Sequence, residues 1–150
     1  MSLSAIRAKI ATVMASVDGV ENVSQYERWT NDRKTFIARF ADDDGIVNAW
    51  SITRVRTVSK RIEMPFVHRE HTFIVRGIMG LKDSDATELT FQARVEDVQD
   101  AFESEYLLSG TCLNSGPMQV KIVEPRIFSG VLCHYAELEY PVSERVTYSI

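Results

Sequence analysis

The sequence predicts an α+β domain: a mainly antiparallel sheet with helices packed on one face and a long protruding β-hairpin. Three observations carry that expectation. Apolar stripes at helical spacing occur at the start of the chain and again past its middle. β-Branched and aromatic runs between and after them fall into pairs around short turns. The resulting order of helix, strand, short helix, two strands, helix and two or three strands lacks the strict alternation that a parallel sheet with crossover helices requires. At 150 residues the chain forms one domain, 1–150. A domain of this size buries roughly 68–70% of its unfolded surface, so neither disulfides nor metals are needed to hold it. A charged fraction of 25% and an apolar fraction of 45% are those of a globular protein.

Leu3, Ile6, Ile10, Val13, Met14 and Val17 repeat at helical spacing. Ser2 or Ser4 is available to cap the start, and Gly19 stands where a left-handed terminal residue is wanted. Residues 20–27 read as a short strand. Residues 31–40 read as a second, short helix with Phe36, Ile37 and Phe40 on one face, ended at Asp42-Asp43-Asp44-Gly45. Residues 46–58 and 67–81 are rich in strand-forming residues, and the intervening 59–66, with Met64-Pro65, is expected to interrupt their pairing. Arg54, Arg56 and Arg76 recur in alternate register on this hairpin, so part of the sheet must meet water or a charged partner.

Asp83-Ser84-Asp85 precedes the main helix, and Asp85 with Glu88 three residues later has the spacing of a capping box. Phe91, Val95, Val98 and Phe102 then step by four, three and four into one apolar stripe, with Gln92, Glu96, Gln99, Asp100 and Glu103 covering much of the other side. Residues 106–120 carry no charge, but Ser109, Gly110, Asn114, Gly116 and Pro117 make them a loop and not a membrane span. Residues 118–128 and 130–140 form a second strand pair around Ser129-Gly130. The tail alternates Val142, Glu144, Val146, Tyr148 and Ile150 as a final strand at a sheet edge.

The charge pattern is the most informative functional signal. Between Arg54 and Arg76 six bases (Arg54, Arg56, Lys60, Arg61, Arg69, Arg76) face two acids, a local balance of +4. From Asp83 to Tyr106 eight acids, among them Glu96, Asp97, Asp100 and Glu103, face Arg94 alone, a balance of −7. Such a switch points to complementary surfaces that meet between copies of the protein or within one copy. The net charge of −4 argues against a dedicated nucleic-acid binder. Arg7 and Lys9 break the apolar run that a signal peptide would need, so the chain is expected in the cytoplasm, with Cys112 and Cys133 reduced and buried.

Catalytic and ligand signatures are weak. His68 and His71 lie three apart on a strand and point to opposite faces, so they do not chelate one ion. Cys133 and His134 are split the same way. Asp42-Asp43-Asp44-Gly45 lacks the spacing and closing glutamate of a calcium loop. Gly77 and Gly80 give only G-x-x-G inside a strand, without the lysine or helix-opening context of a nucleotide loop. No cofactor or metal is indicated. The seven Phe and five Tyr fall mostly on core stripes, while Trp29 and Trp50 suit either core or interface.

Several segments together carry a resemblance: Tyr26-Glu27-Arg28-Trp29; Asn48-Ala49-Trp50-Ser51-Ile52-Thr53-Arg54; His71-Thr72-Phe73 running to Gly80-Leu81; and Glu124-Pro125-Arg126 through Cys133-His134-Tyr135-Ala136-Glu137-Leu138. In these, and in the order of its elements, the chain resembles the tail terminator, or tail completion, proteins of long-tailed bacteriophages and prophages. The resemblance implies an α+β virion subunit that forms a hexameric ring at the head-proximal end of the tail tube, stops tube growth and offers a docking face to the neck. It implies no catalytic residues. The partners it implies are further copies of the chain, the tail tube protein, a neck or head-completion protein, and DNA passing through the lumen without sequence-specific contact. It places the protein in the host cytoplasm during assembly and then in the virion tail, with no membrane association. Two alternatives stand beside it: a neck or head-completion connector, and a small α+β enzyme or ligand-binding domain using His68, His71 or His134.

Overall fold

A computed structural model describes residues 2–28, 30 and 32–149. Trp29 and the expected helix start at Asn31 lie outside the described residues. The fold is α+β, with three helices and a mostly antiparallel six-stranded sheet. Helix α1 spans Leu3–Ser16, and the Ser2 hydroxyl accepts from the Ala5 amide as its cap. The positive φ falls at Gly19 (83°), in the turn beyond the Val17 cap. Strand β1 is reduced to Val23–Ser24, and α2 is Arg33–Phe40, capped by Asp32. Strands β2 (Asn48–Glu63) and β3 (Phe66–Gly80) form the long hairpin. Helix α3 is Thr87–Ser104, followed by short β4 (Asn114–Ser115), then β5 (Gln119–Phe128) and β6 (Val131–Thr147).

Strand order is β1-β2-β3-β6-β4, with β5 also paired to β6 and only the β1–β2 pairing parallel. Strand parity decides what each face buries. Trp50, Ile52, Phe73, Val75, Ala136, Leu138, Tyr140 and Val142 point to one face, where they meet Ile6, Ile10 and Met14 of α1 and Phe91, Val95, Val98 and Phe102 of α3. Burying each such side chain stabilises by about 1.5–3 kcal/mol, so this face is the core of the domain. Helix α2 is the exception to a one-faced arrangement: Phe36 and Phe40 pack on Val47, Ala49 and Cys133, residues of the opposite parity.

Three local expectations are corrected. Pairing does not stop at residue 59 but continues through Lys60↔His68 and Arg61↔Val67 to Glu63↔Phe66. Pro65 occupies the two-residue turn, where its missing N–H costs no ladder bond. The tail is no separate strand, since β6 runs straight on and pairs β3 as far as Phe66↔Thr147. Asp85 is not the cap of α3. It ends a 3-10 turn, and Ala86, at φ 51° and ψ 43°, takes the cap position without a side-chain bond.

Gly77 has a packing reason. A Cβ there would lie 2.3 Å from the Trp50 ring, so the bare backbone lets the indole settle across the sheet. Asn48, 2% exposed, completes the anchor: its Oδ1 accepts from Trp50 Nε1 at 3.0 Å and its Nδ2 donates to the Gly19 carbonyl at 2.6 Å. Trp50 is therefore a core residue.

Candidate interaction surfaces

Beyond Ser51, β1 leaves the sheet, and among the described residues no strand pairs the outer edge of β2 over residues 52–63. Arg54, Arg56, Lys60 and Arg61 are all exposed on this stretch. The bulge at Val55 changes their expected arrangement. Arg54 lies opposite Phe73, on the core face, whereas Arg56 lies opposite Thr72, on the other. The extra residue resets the alternation, so the two arginines do not share a face. Arg54 Nη1 donates to the Thr57 hydroxyl at 3.0 Å. None of these four bases has an acidic partner among the described residues.

Arg69 and Arg76 are placed differently. Arg69 Nη2 donates to the Tyr148 hydroxyl at 2.6 Å, and its Nη1 stands 3.9 Å from Glu144. Arg76 meets Glu27 at 2.6 Å, on the α2 side of the sheet. Both are neutralised inside the chain, so the open basic surface reduces to Arg54, Arg56, Lys60 and Arg61.

On α3 the stripe Phe91, Val95, Val98 and Phe102 is buried, which turns Glu96, Asp97, Asp100 and Glu103 to solvent. These four carboxylates likewise form no ion pair with the described residues. Arg94, the helix's single base, points inward and donates to the Gly19 carbonyl. The acidic and basic patches thus do not meet within one copy.

The structure also builds a polar cluster that the sequence did not announce. The Thr57 hydroxyl lies 2.7 Å from His71 Nδ1, and His71 Nε2 lies 3.2 Å from Glu144 Oε1. His71 and Glu144 are each only 2% exposed. Its members come from β2, β3 and β6, so the register of three strands brings them together and no local motif could have revealed them. The arrangement buries Glu144 between His71 and Arg69, while its Oε2 meets no hydrogen-bond partner among the described residues. The histidines do not converge. His68 projects from the face opposite His71, and His134 lies opposite Met79, eight residues along β3 from His71, or about 26 Å at the rise of a strand.

On the α2 side, a cleft of about 580 Å³ is lined by Phe36, Phe40, Phe128, Tyr135, Arg76 and Arg126 among others. The charges of Arg76 and Arg126 are satisfied locally. Arg76 meets Glu27, Arg126 donates to Glu124 at 2.7 Å while lying 4.1 Å over the Tyr135 ring, and Tyr135 donates to Glu137 at 2.9 Å. Burial, then that hydrogen bond, raises the Tyr135 phenol. Burial alone pushes the Cys133 thiol up to about 11, which makes it a poor nucleophile.

No described group of three His, Cys, Asp or Glu side chains is placed to hold a metal ion, and no described helix is long and apolar enough to cross a membrane. No protein-family model matches the chain, and no curated protein matches it.

Proposed function

We propose that this protein is a virion structural subunit of the tail-terminator type, which assembles stoichiometrically into a ring at the head-proximal end of a phage tail tube, halts tube growth and presents a docking face to the neck. The observation that carries the reading is the pair of unneutralised surfaces: four exposed bases on β2 beyond Thr53 and four exposed acids on α3, with no ion pair between them inside the chain. Opposite charges held apart on one subunit favour unlike contacts between copies, and unlike contacts close into rings when the rotation permits. The same carboxylates do not fully serve two ends: either they meet the basic hairpin of a neighbour, or they border the passage, where they would repel DNA phosphate and keep the genome from sticking. The resemblance of the segments around Trp50, Phe73 and His134 supplies the hexamer and the position in the tail.

The enzyme alternative needs an imidazole beside a reacting group in an open site. His71 is shut between strands, His134 is committed to Thr87 and Phe91, and His68, half-buried on the other face, stands between Lys60 and Arg145 on the neighbouring strands. The assembly reading is tested by light scattering and negative-stain microscopy of the purified chain, alone and with tail tubes. Rings, and tubes capped at one end, are expected. A permanent monomer that ignores tube ends overturns it.

A further inference from the structure

Resting on the ring reading, we infer where one copy grips the next: the open edge of β2 pairs in antiparallel fashion with the outer edge of β5 of a second copy, so that the sheet runs on from subunit to subunit. Both edges lack a strand among the described residues. Residues 52–63 of β2 are bounded only by β3, and β5 only by β6. A long open ladder with exposed apolar side chains, here Val55, Val58 and Ile62 at 52%, 47% and 58% exposure, is a ready template for another strand.

Strand sense selects the β5 edge. Between the two edges lie four strands, β5, β6, β3 and β2, each antiparallel to the next. Rotation about an axis along the strands carries β5 of the next copy, unchanged in sense, beside β2, and with an even number of alternating strands that junction is again antiparallel. Joining β2 to β2 across a two-fold would set Arg54, Arg56, Lys60 and Arg61 among their own copies, which like-charge repulsion disfavours.

Side-chain chemistry fixes the register. On the α2 face β2 presents Arg56, Val58 and Lys60, while β5 presents Glu124, Ile122 and Gln119 on the same face. Placing Val58 opposite Ile122 sets Arg56 against Glu124, an exposed carboxylate whose Oε1 already accepts from Arg126 and whose other oxygen is left for Arg56, and, across the bulge at Lys121, sets Lys60 against Gln119. On the core face the same register sets Thr57 by Val123 and Ser59 by Val120. A two-residue slip toward Arg126 would oppose Arg56 with Arg126, and a slip the other way would leave Arg56 facing Ile122. Pro125 removes one donor inside β5, so the ladder of this junction is carried by residues 56–60 of β2 against 119–124 of β5. With the hairpin engaged at β5, the acidic face of α3 stays free for the passage or for the next protein along the tail.

Charge reversal with rescue tests the junction, read by light scattering across a concentration series, with thermal melts to show that each variant is folded. Arg56→Glu and Glu124→Arg should each shift the population from rings to monomers, and the two changes in one chain should restore the rings. Mixing Val58→Cys with Ile122→Cys chains under a short thiol cross-linker should give linked dimers that neither variant gives alone; the buried Cys112 and Cys133 serve as the background. Rings that persist in both charge variants, a double variant without rescue, or Val58→Cys chains linking to themselves would each overturn the junction while leaving the ring standing. A wild-type chain that stays monomeric throughout would overturn both.

Discussion

His134 shows how one side chain ties the sheet to a helix and to pH. It is buried at 7% exposure, stacks on Phe91 with ring centroids 5.5 Å apart, and places Nε2 2.8 Å from the Thr87 hydroxyl. That hydroxyl accepts from the Lys82 amide and has one proton to give; the imidazole, nearer than the Lys82 carbonyl at 3.3 Å, is the better recipient. An accepting Nε2 means a neutral ring. Burial accordingly lowers the pKa of His134, with Glu88 pulling weakly the other way. The folded pKa lies below the unfolded one, so this group's contribution is present above the unfolded value of 6.5 and is lost as pH falls through it toward the folded pKa. Denaturant unfolding at stepwise lower pH should show stability falling as the pH drops below 6.5. His134→Gln, which can still face Thr87, should flatten that part of the curve relative to wild type. Equal slopes for the two proteins would remove His134 from the account. Sequence inspection correctly separated the faces of Cys133 and His134 but could not see Thr87, which approaches from another element.

At the scale of elements, α1, the stripe on α3 and both hairpins were legible because each rests on periodicity, which sequence displays directly. The misreadings came where one residue changes the phase or geometry. The bulge at Val55 flips the side chains of β2 from Arg56 to Arg61, and the tail merged into β6 because pairing with β3 continues past Tyr140. The start of α3 is the clearest case. Asp85 and Glu88 have the right spacing for a capping box, but the chain turns through a 3-10 segment first and places Ala86 in the left-handed region, φ 51° and ψ 43°. A non-glycine residue there costs about 1–2 kcal/mol, and no side-chain cap offsets it. Ala86→Gly should therefore raise the stability of the domain by about 0.5–1 kcal/mol, the gain being limited by glycine's greater freedom when unfolded. A shift of the urea midpoint with an unchanged slope would register it. A lower midpoint would mean that the helix starts in another way.

For the whole molecule, the division of charge matters more than its total. The net value of −4 hides a basic strand edge and an acidic helix that the fold keeps apart, while Arg69 and Arg76, part of the same basic run in sequence, are withdrawn to Glu144 and Glu27. The run of bases was legible; which of them remain open was not, because that depends on partners 49 and 75 residues distant. Only open charges contribute to association between copies, and being exposed they are screened, with a Debye length of about 10 Å at 0.1 M salt and about 3 Å at 1 M. Formation of the proposed ring should accordingly weaken as salt rises over that range. Arg54→Glu combined with Arg56→Glu should weaken it further at low salt, and the remaining salt dependence should be shallower because the attraction of Arg56 has become a repulsion and the edge has lost a second positive charge. Sedimentation or light scattering of both proteins across the salt series measures this directly. Assembly that is the same for the two proteins at low and at high salt would place the basic edge of β2 outside the subunit contact and would turn attention to the cleft beside α2 as the joining surface.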